Sequence, residues 1–515
     1  MRGVTRRELI EGAVGVAAVG ALNSELPAAP AAQPSGLEFA SALTAAKAIR
    51  DGRVTSLELT QATFARIDRY NRSLNAFAYL LRDDALKHAR EMDEALARGA
   101  PPGVLHGVPV TVKESFGVAG HPCTWGHGEL VRSKAPANSD VVERLLGAGA
   151  VLVGATNVPP ALADVQTYND FYGTTNNPWD LTRTPGGSSG GSAASLAAGI
   201  GYLSVGSDIG GSIREPASFC GIFGHKPTLD IVSDIGHEPG GGRASPGFST
   251  LLAVCGPLAR DADDLIAAMK ILAGPSGADA KAYSWRLPEP RQRSLANFRV
   301  GHVLDDPWVP VSSEIRPALA NALRVLESAG TKLKAGWPAG FNITDLDETY
   351  RFMVRAFDFS MTPEKEKAAE RARLQSSSEP RAKYAFASFS DWQLRNLKRL
   401  EFRAQWQRYF EDFDVFLSPV VFTVAFAHDH REPKADRRIM TPEGARSYWD
   451  VLRWIEPATL TGCPATSAPI GRTASGLPVG LQVMGPYMED ATPITFAGLL
   501  SEELGGFTPP PGFNG

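Results

Sequence analysis

Cysteine is scarce in this chain of 515 residues. The four present, Cys123, Cys220, Cys255 and Cys463, stand far apart and form no CxxC pair. That spacing excludes a zinc ribbon and a thioredoxin-type redox pair and leaves buried thiols as the ordinary reading. Histidine offers no metal site either: the nine histidines include no HExxH, and the nearest pair, His428 and His430, reads as loop decoration. No metal and no cofactor are expected. An excess of one charge is lacking as well. With 52 basic against 56 acidic side chains the net charge is -4, so no basic field exists to hold a phosphate backbone, and nucleic acid is not an expected partner.

What is present is ordinary for a large folded chain: 43% of residues are hydrophobic and 21% charged, enough apolar surface for a sizeable core. The N-terminus differs. Thr5-Arg6-Arg7-Glu8-Leu9-Ile10 leads into the weakly apolar run Gly12 to Leu22, of 11 residues, and then into Ala29-Pro30-Ala31. The run is too short for a bilayer span of about 20 residues, so no membrane span is expected. The pattern resembles a twin-arginine export signal with a small-residue cleavage site. Residues 1–31 are therefore expected to be a signal peptide and the mature protein periplasmic or secreted. A helix at the N-terminus of the fold is the alternative.

From Leu37 onward helical and strand patterns alternate, as in α/β proteins. Thr55-Ser56-Leu57-Glu58 is a capping box opening a helix to about Tyr70, and further helices are expected over Asp83 to Arg98 and, capped by Ser139, to Gly147. Strands are expected at Pro109 to Lys113, Val151 to Val153, Tyr202 to Val205, Val300 to Leu304 and Val415 to Leu417. A hairpin-like pair is expected around Ser467 to Ile470 and Val479 to Met484. Ser192 to Gly199, Glu314 to Ala329 and Pro493 to Leu504 read as helices. Asn342 to Phe410 is helical, charged and dotted with aromatics, either a layer over a substrate entrance or outer helices whose aromatics face the core. No repeat or Gly/Ser linker divides the chain, so one large domain is expected.

Two segments concentrate glycine and serine: Thr184-Pro185-Gly186-Gly187-Ser188-Ser189-Gly190-Gly191-Ser192 and Asp208-Ile209-Gly210-Gly211-Ser212-Ile213-Arg214. Such density costs conformational entropy and suits places where backbone amides approach a ligand or point together at an oxyanion. A serine hydroxyl is a poor nucleophile until a base takes its proton, and no recognisable His–Asp arrangement supplies one. Lys113 closes a strand, an odd place for a charge unless the strand ends at solvent or at a site. Desolvated there, its amine becomes a base.

Together these stretches resemble the amidase signature family. The Gly186 to Ser192 loop, Asp208 to Arg214 and its continuation Glu215 to Thr228 follow the family's defining stretch, and Val112-Lys113-Glu114 matches its lysine motif. The resemblance runs from about Leu37 to Leu504 and marks 37–505 as the amidase signature domain. It implies an α/β fold: a single large domain with a mixed β-sheet covered by helices on both faces. It further implies Ser212 as nucleophile, Ser188 as bridging serine after a cis Gly187–Ser188 peptide, and Lys113 as base. The amides of Ile209, Gly210, Gly211 and Ser212 are the implied oxyanion hole, with Gly187, Ser189, Asp208 and Arg214 in support. The implied reaction is hydrolysis of a carboxylic amide through an acyl-enzyme. Carbamate, aryl-amide or ester hydrolysis, and a place in an amidotransferase complex, are the alternatives. A small-molecule amide or carbamate is the expected partner of a monomer or homodimer. Trp125, Tyr168, Phe171 and Tyr172 read equally as pocket or as core. His225 and the Gly-rich Val232 to Thr250 depart from the family pattern.

Overall fold

Residues 36–242, 251–362, 364–376 and 382–514 are described by the computed structural model. The signal-peptide reading of residues 1–31 and part of the Gly-rich loop lie outside them.

Helix starts follow local chemistry. Thr55 accepts from the Glu58 amide while Glu58 reaches back, and the helix Ser56–Leu74 follows, ending in left-handed Asn75. Ser139 accepts from Val142 and opens Asp140–Gly147.

Eleven strands share one sheet: β1 (Phe77–Leu80), β2 (Pro109–Lys113), β3 (Val151–Thr156), β4 (Leu203–Asp208), β5 (Phe223–Lys226), β6 (Val254–Ala259), β7 (Arg299–His302), β8 (Lys332–Ala335), β9 (Val415–Pro419), β10 (Ala465–Arg472) and β11 (Pro478–Met484). Their spatial order is β1-β3-β2-β4-β6-β5-β10-β11-β9-β7-β8. The β3-β2-β4 and β9-β7-β8 runs are parallel and the other pairings antiparallel, so the sheet is mixed. Side chains alternate between faces along a strand. Because β2, β3, β4, β6, β9 and β11 are buried at every position, both faces of the sheet's interior are covered. Exposure appears at the edges, in β1 and β8. The result is a single large α/β domain, as expected.

Most expected elements are present with ends moved by a few residues; the helix expected at Ser192 to Gly199 is Gly190–Ala197. The hairpin is real: β10 and β11 pair antiparallel. Strands β5 and β6 have no strand signal in the sequence. Phe223-Gly224-His225-Lys226 buries two polar side chains, and Val254-Cys255-Gly256-Pro257-Leu258-Ala259 contains glycine and proline, which argue against a central strand. Tertiary pairing overrides both, and β6 lines up antiparallel along the whole of β4. His225 explains itself: its ring nitrogens meet Thr466 Oγ1 at 2.9 Å and Asp490 Oδ1 at 3.0 Å, tying β5 to the start of the helix Ala491–Glu503.

Asn342 to Phe410 forms the helices Ile343–Met361, Glu364–Gln375 and Phe389–Asp412. Several of its aromatics pack on one another, Phe352 on Tyr384 and Phe359 on Phe386, while Phe389 is exposed. All four cysteines are buried and free. No helix among the described residues is long and apolar enough to cross a membrane.

Candidate active site

β2 and β4 are parallel neighbours, with Val110 opposite Leu203, Thr111 opposite Ser204 and Val112 opposite Val205. Parallel neighbours end on the same edge of a sheet, where the crevices of α/β proteins lie. Lys113 therefore emerges beside Ser207 and Asp208. The Thr184 to Ser189 loop enters the same edge before the helix Gly190–Ala197, and residues 209–213 leave β4 for the helix Arg214–Cys220.

The Lys113 amine is fully buried and has hydroxyl partners only: Ser188 Oγ at 2.7 Å and Ser207 Oγ at 3.0 Å. Glu114, although next in sequence, turns away and accepts the amides of Thr124 at 2.7 Å and Trp125 at 3.1 Å. With no carboxylate on the amine, burial lowers its pKa from 10.5 to about 7, against a weaker opposing pull from Asp208.

The Gly187–Ser188 peptide is cis. Ser189 then links the two glycine-rich segments, its N–H donating to the Ser212 carbonyl at 3.2 Å. Its side chain lies against β4 at Gly206, where a Cβ would stand 2.6 Å from Ser189 Oγ, so only glycine fits. Exposure rises from Lys113 at 0% through Ser188 at 2% to Ser212 at 8%, with Ile209 and Gly210 half-buried beyond. Lys113 is the innermost group and Ser212 the most accessible of the three. The Ser188 and Ser212 hydroxyls make no direct hydrogen bond in this arrangement, a common condition of sites without substrate.

Asp208 organises the Gly210–Ser212 turn. Its carboxylate accepts from the amides of Gly211 at 2.9 Å, Ile213 at 3.2 Å and Arg214 at 3.4 Å, and from the Arg214 guanidinium at 2.8 and 3.0 Å. Burial raises the Asp208 pKa, but Arg214, Lys226 and the Ile213 amide outweigh it and hold it lowered. Arg214 spends its other bonds on Gln482, the Ile455 carbonyl and Thr459. Asp208, Arg214 and Ser189, expected in support, make these bonds within and between the two glycine-rich segments. Of the amides expected to form the oxyanion hole, Gly211, at φ +89°, gives its N–H to Asp208, whereas the Ile209, Gly210 and Ser212 amides donate to no group among the described residues.

Ser207 carries no signal in the sequence, because its face toward Lys113 is known only once the β2–β4 register is known. His237 is a second unforeseen neighbour. Its ring centre lies 4.8 Å from those of both Phe116 and Trp125, and burial, with Lys113 nearby, lowers its pKa to about 3, so the imidazole is neutral. The four aromatics left open divide. Trp125 is in this cluster, its indole N–H bonded to the Ser115 carbonyl, Phe171 packs on Tyr172, and Tyr168 is spent on Asp164 and Arg437.

A sequence model of the Amidase family matches residues 58–493. The chain belongs to that family, the amidase signature enzymes. It is an amidase, a hydrolase of carbon–nitrogen bonds. The amidase is 35% identical over 506 residues to a glutamyl-tRNA(Gln) amidotransferase subunit of Anaeromyxobacter sp. (strain K), covering 92% of this chain and 97% of that protein. A solved structure named simply an amidase has a TM-score of 0.72 at 28% identity, over 90% of this chain and all of that one. A bacterial aryl acylamidase of the amidase signature family shares the fold, with a TM-score of 0.76 at 22% identity over 93% and 98% of the two chains. The expected periplasmic or secreted location is corrected by the curated relatives. They are subunits of glutamyl-tRNA(Gln) amidotransferase, an enzyme named for a tRNA-bound substrate rather than for an exported one.

Proposed function

We propose that the amidase hydrolyses a carboxylic amide through an acyl-enzyme on Ser212, with Ser188 relaying a proton to Lys113. The observation that carries this reading is the buried Lys113 amine, 2.7 Å from Ser188 Oγ and with its pKa lowered to about 7. Neutral Lys113 takes a proton from Ser188, Ser188 takes one from Ser212, and Ser212 attacks the carbonyl. The tetrahedral oxyanion forms toward the unengaged amides of Ile209, Gly210 and Ser212. The relay run in reverse protonates the leaving nitrogen, and water releases the acid. The substrate is a small-molecule amide. Carbamates, aryl amides and esters pass through the same acyl-enzyme chemistry and remain the nearest variants.

The test is hydrolysis by the purified chain and its Ser212→Ala variant of a panel holding a primary amide, an anilide, a fatty amide, a peptide amide, a carbamate and an ester. Turnover of an amide that vanishes in the variant supports the reading. Full turnover in the variant overturns it. A second reading, membership of a tRNA-dependent amidotransferase complex, is favoured by the 35% identity to a component of such an enzyme. It predicts that glutamine is hydrolysed only once the other components of the complex are added.

A further inference from the structure

We infer that Tyr350 is a positioning residue for the oxyanion site, acting through the peptide that joins Ile209 to Gly210. The inference rests on the reading of Ser212 as nucleophile. The Tyr350 hydroxyl donates to the Ile209 carbonyl at 3.0 Å. That peptide is trans, since the cis bonds among the described residues are Gly187–Ser188 and Glu432–Pro433. In a planar trans peptide the C=O and N–H point in opposite directions. Fixing the Ile209 oxygen therefore fixes the direction of the Gly210 N–H, which faces away from Tyr350 and is one of the three unengaged amides. The bond also polarises the peptide and strengthens the N–H as a donor. Donors already aimed before charge develops are the ones that stabilise an oxyanion most.

The helix Ile343–Met361, which carries Tyr350, is tied down at the next residue. Arg351 bridges Asp347, at 2.7 Å, and Glu456, at 3.3 Å. Glu456 opens the short helix Glu456–Thr461, and that helix's Thr459 with the adjoining Ile455 carbonyl also holds Arg214, which in turn holds Asp208. The loop is thus fixed from within by Asp208 and from the side by Tyr350, both referred to one element. A Cβ on Gly210 would lie 3.7 Å from the Tyr350 hydroxyl and 3.4 Å from Leu452, so both side chains end close to the loop. Tyr350 is 2% exposed, and burial holds its pKa well above the ordinary phenol value, which keeps the hydroxyl a donor.

The experiment compares the full chain with its Tyr350→Phe and Ser212→Ala variants in reaction with an alkyl fluorophosphonate. Ser212 Oγ bonds to phosphorus, the P–F bond breaks, fluoride leaves, the serine proton passes to the relay, and the phosphoryl oxygen takes the oxyanion's place. Inactivation is resolved into a binding constant and a bond-forming rate constant. Tyr350→Phe is expected to lower the rate constant about tenfold, less than the 10²–10³ lost when a donor itself is removed. Its binding constant, melting temperature and acid limb of the pH profile stay as in the parent. A parental rate constant in Tyr350→Phe, with Ser212→Ala unlabelled, overturns the Tyr350 inference and leaves Ser212 standing. Equal losses in both constants with a lower melting temperature mark a packing role and overturn it as well. Labelling of Ser212→Ala, or a parent that resists the probe, overturns the Ser212 reading and this inference with it.

Discussion

Lys113 and Arg214 are both fully buried cationic side chains at the same edge of the sheet, and their surroundings differ in kind. Arg214 meets the Asp208 carboxylate twice, along with Gln482, a carbonyl and Thr459. Lys113 meets two hydroxyls. A guanidinium keeps its charge in a protein, so pairing it makes a rivet. An amine left without a carboxylate gives up its proton instead, and becomes a base. Burial is common to both; the partner decides whether the group keeps its charge and holds the loop or is left able to lose its proton.

The comparison breaks most directly at Lys113. Lys113→Met keeps length and apolar volume while removing the base, and is expected to lower kcat by about 10²–10⁴-fold. The same substitution is expected to stabilise the protein. The folded pKa of about 7 lies below the ordinary lysine value of 10.5, so the lysine costs stability increasingly as pH falls from 10.5 to 7, and constantly below. After the loss of two hydrogen bonds the variant gains about 1–3 kcal/mol at pH 7, and little near pH 10. Urea unfolding at both pH values with steady-state kinetics checks both halves. An active variant, or one destabilised at pH 7, contradicts the assignment.

On the other side, Asp208→Ala leaves Arg214 buried beside no carboxylate. The expected loss is about 3–5 kcal/mol, read by denaturant unfolding, and a loss under about 1 kcal/mol means that Arg214 is no rivet. The sharpest version exchanges the partner. Ser207→Asp sets a carboxylate where the second hydroxyl of Lys113 stands and is expected to raise the lysine pKa. Since the neutral amine is the proposed active form, the acid limb of the rate profile, expected near pH 7 in the parent from the lysine pKa, is expected to move upward by about 1–3 pH units. The plateau at high pH is retained within a few-fold. An unmoved limb assigns the titration to another group.

How much of this was legible depends on where the information sits. Lys113, Ser188 and Ser212 could be proposed because each lies in a stretch whose composition or position is costly unless a site requires it. Strands such as β3 and β4 were legible as short apolar runs. Strands β5 and β6 were not, since buried polar side chains, a glycine and a proline hide them from any local pattern. Ser207 and Tyr350 were invisible for a different reason: they reach their partners across 94 and 141 residues. Gly211 shows the limit within a motif. Its place in the glycine-rich segment was readable, but the turn that gives its N–H to Asp208 was not.

By itself the sequence determined the family and the α/β class, and marked the side chains proposed to carry the chemistry, because these depend on residue types at fixed spacings along the chain. How Lys113 is desolvated and partnered, which amides remain unengaged, and what Tyr350 holds were decided by the tertiary structure. A pKa and a hydrogen-bond direction are set by desolvation and by partners that only the closed sheet and its covering helices bring together.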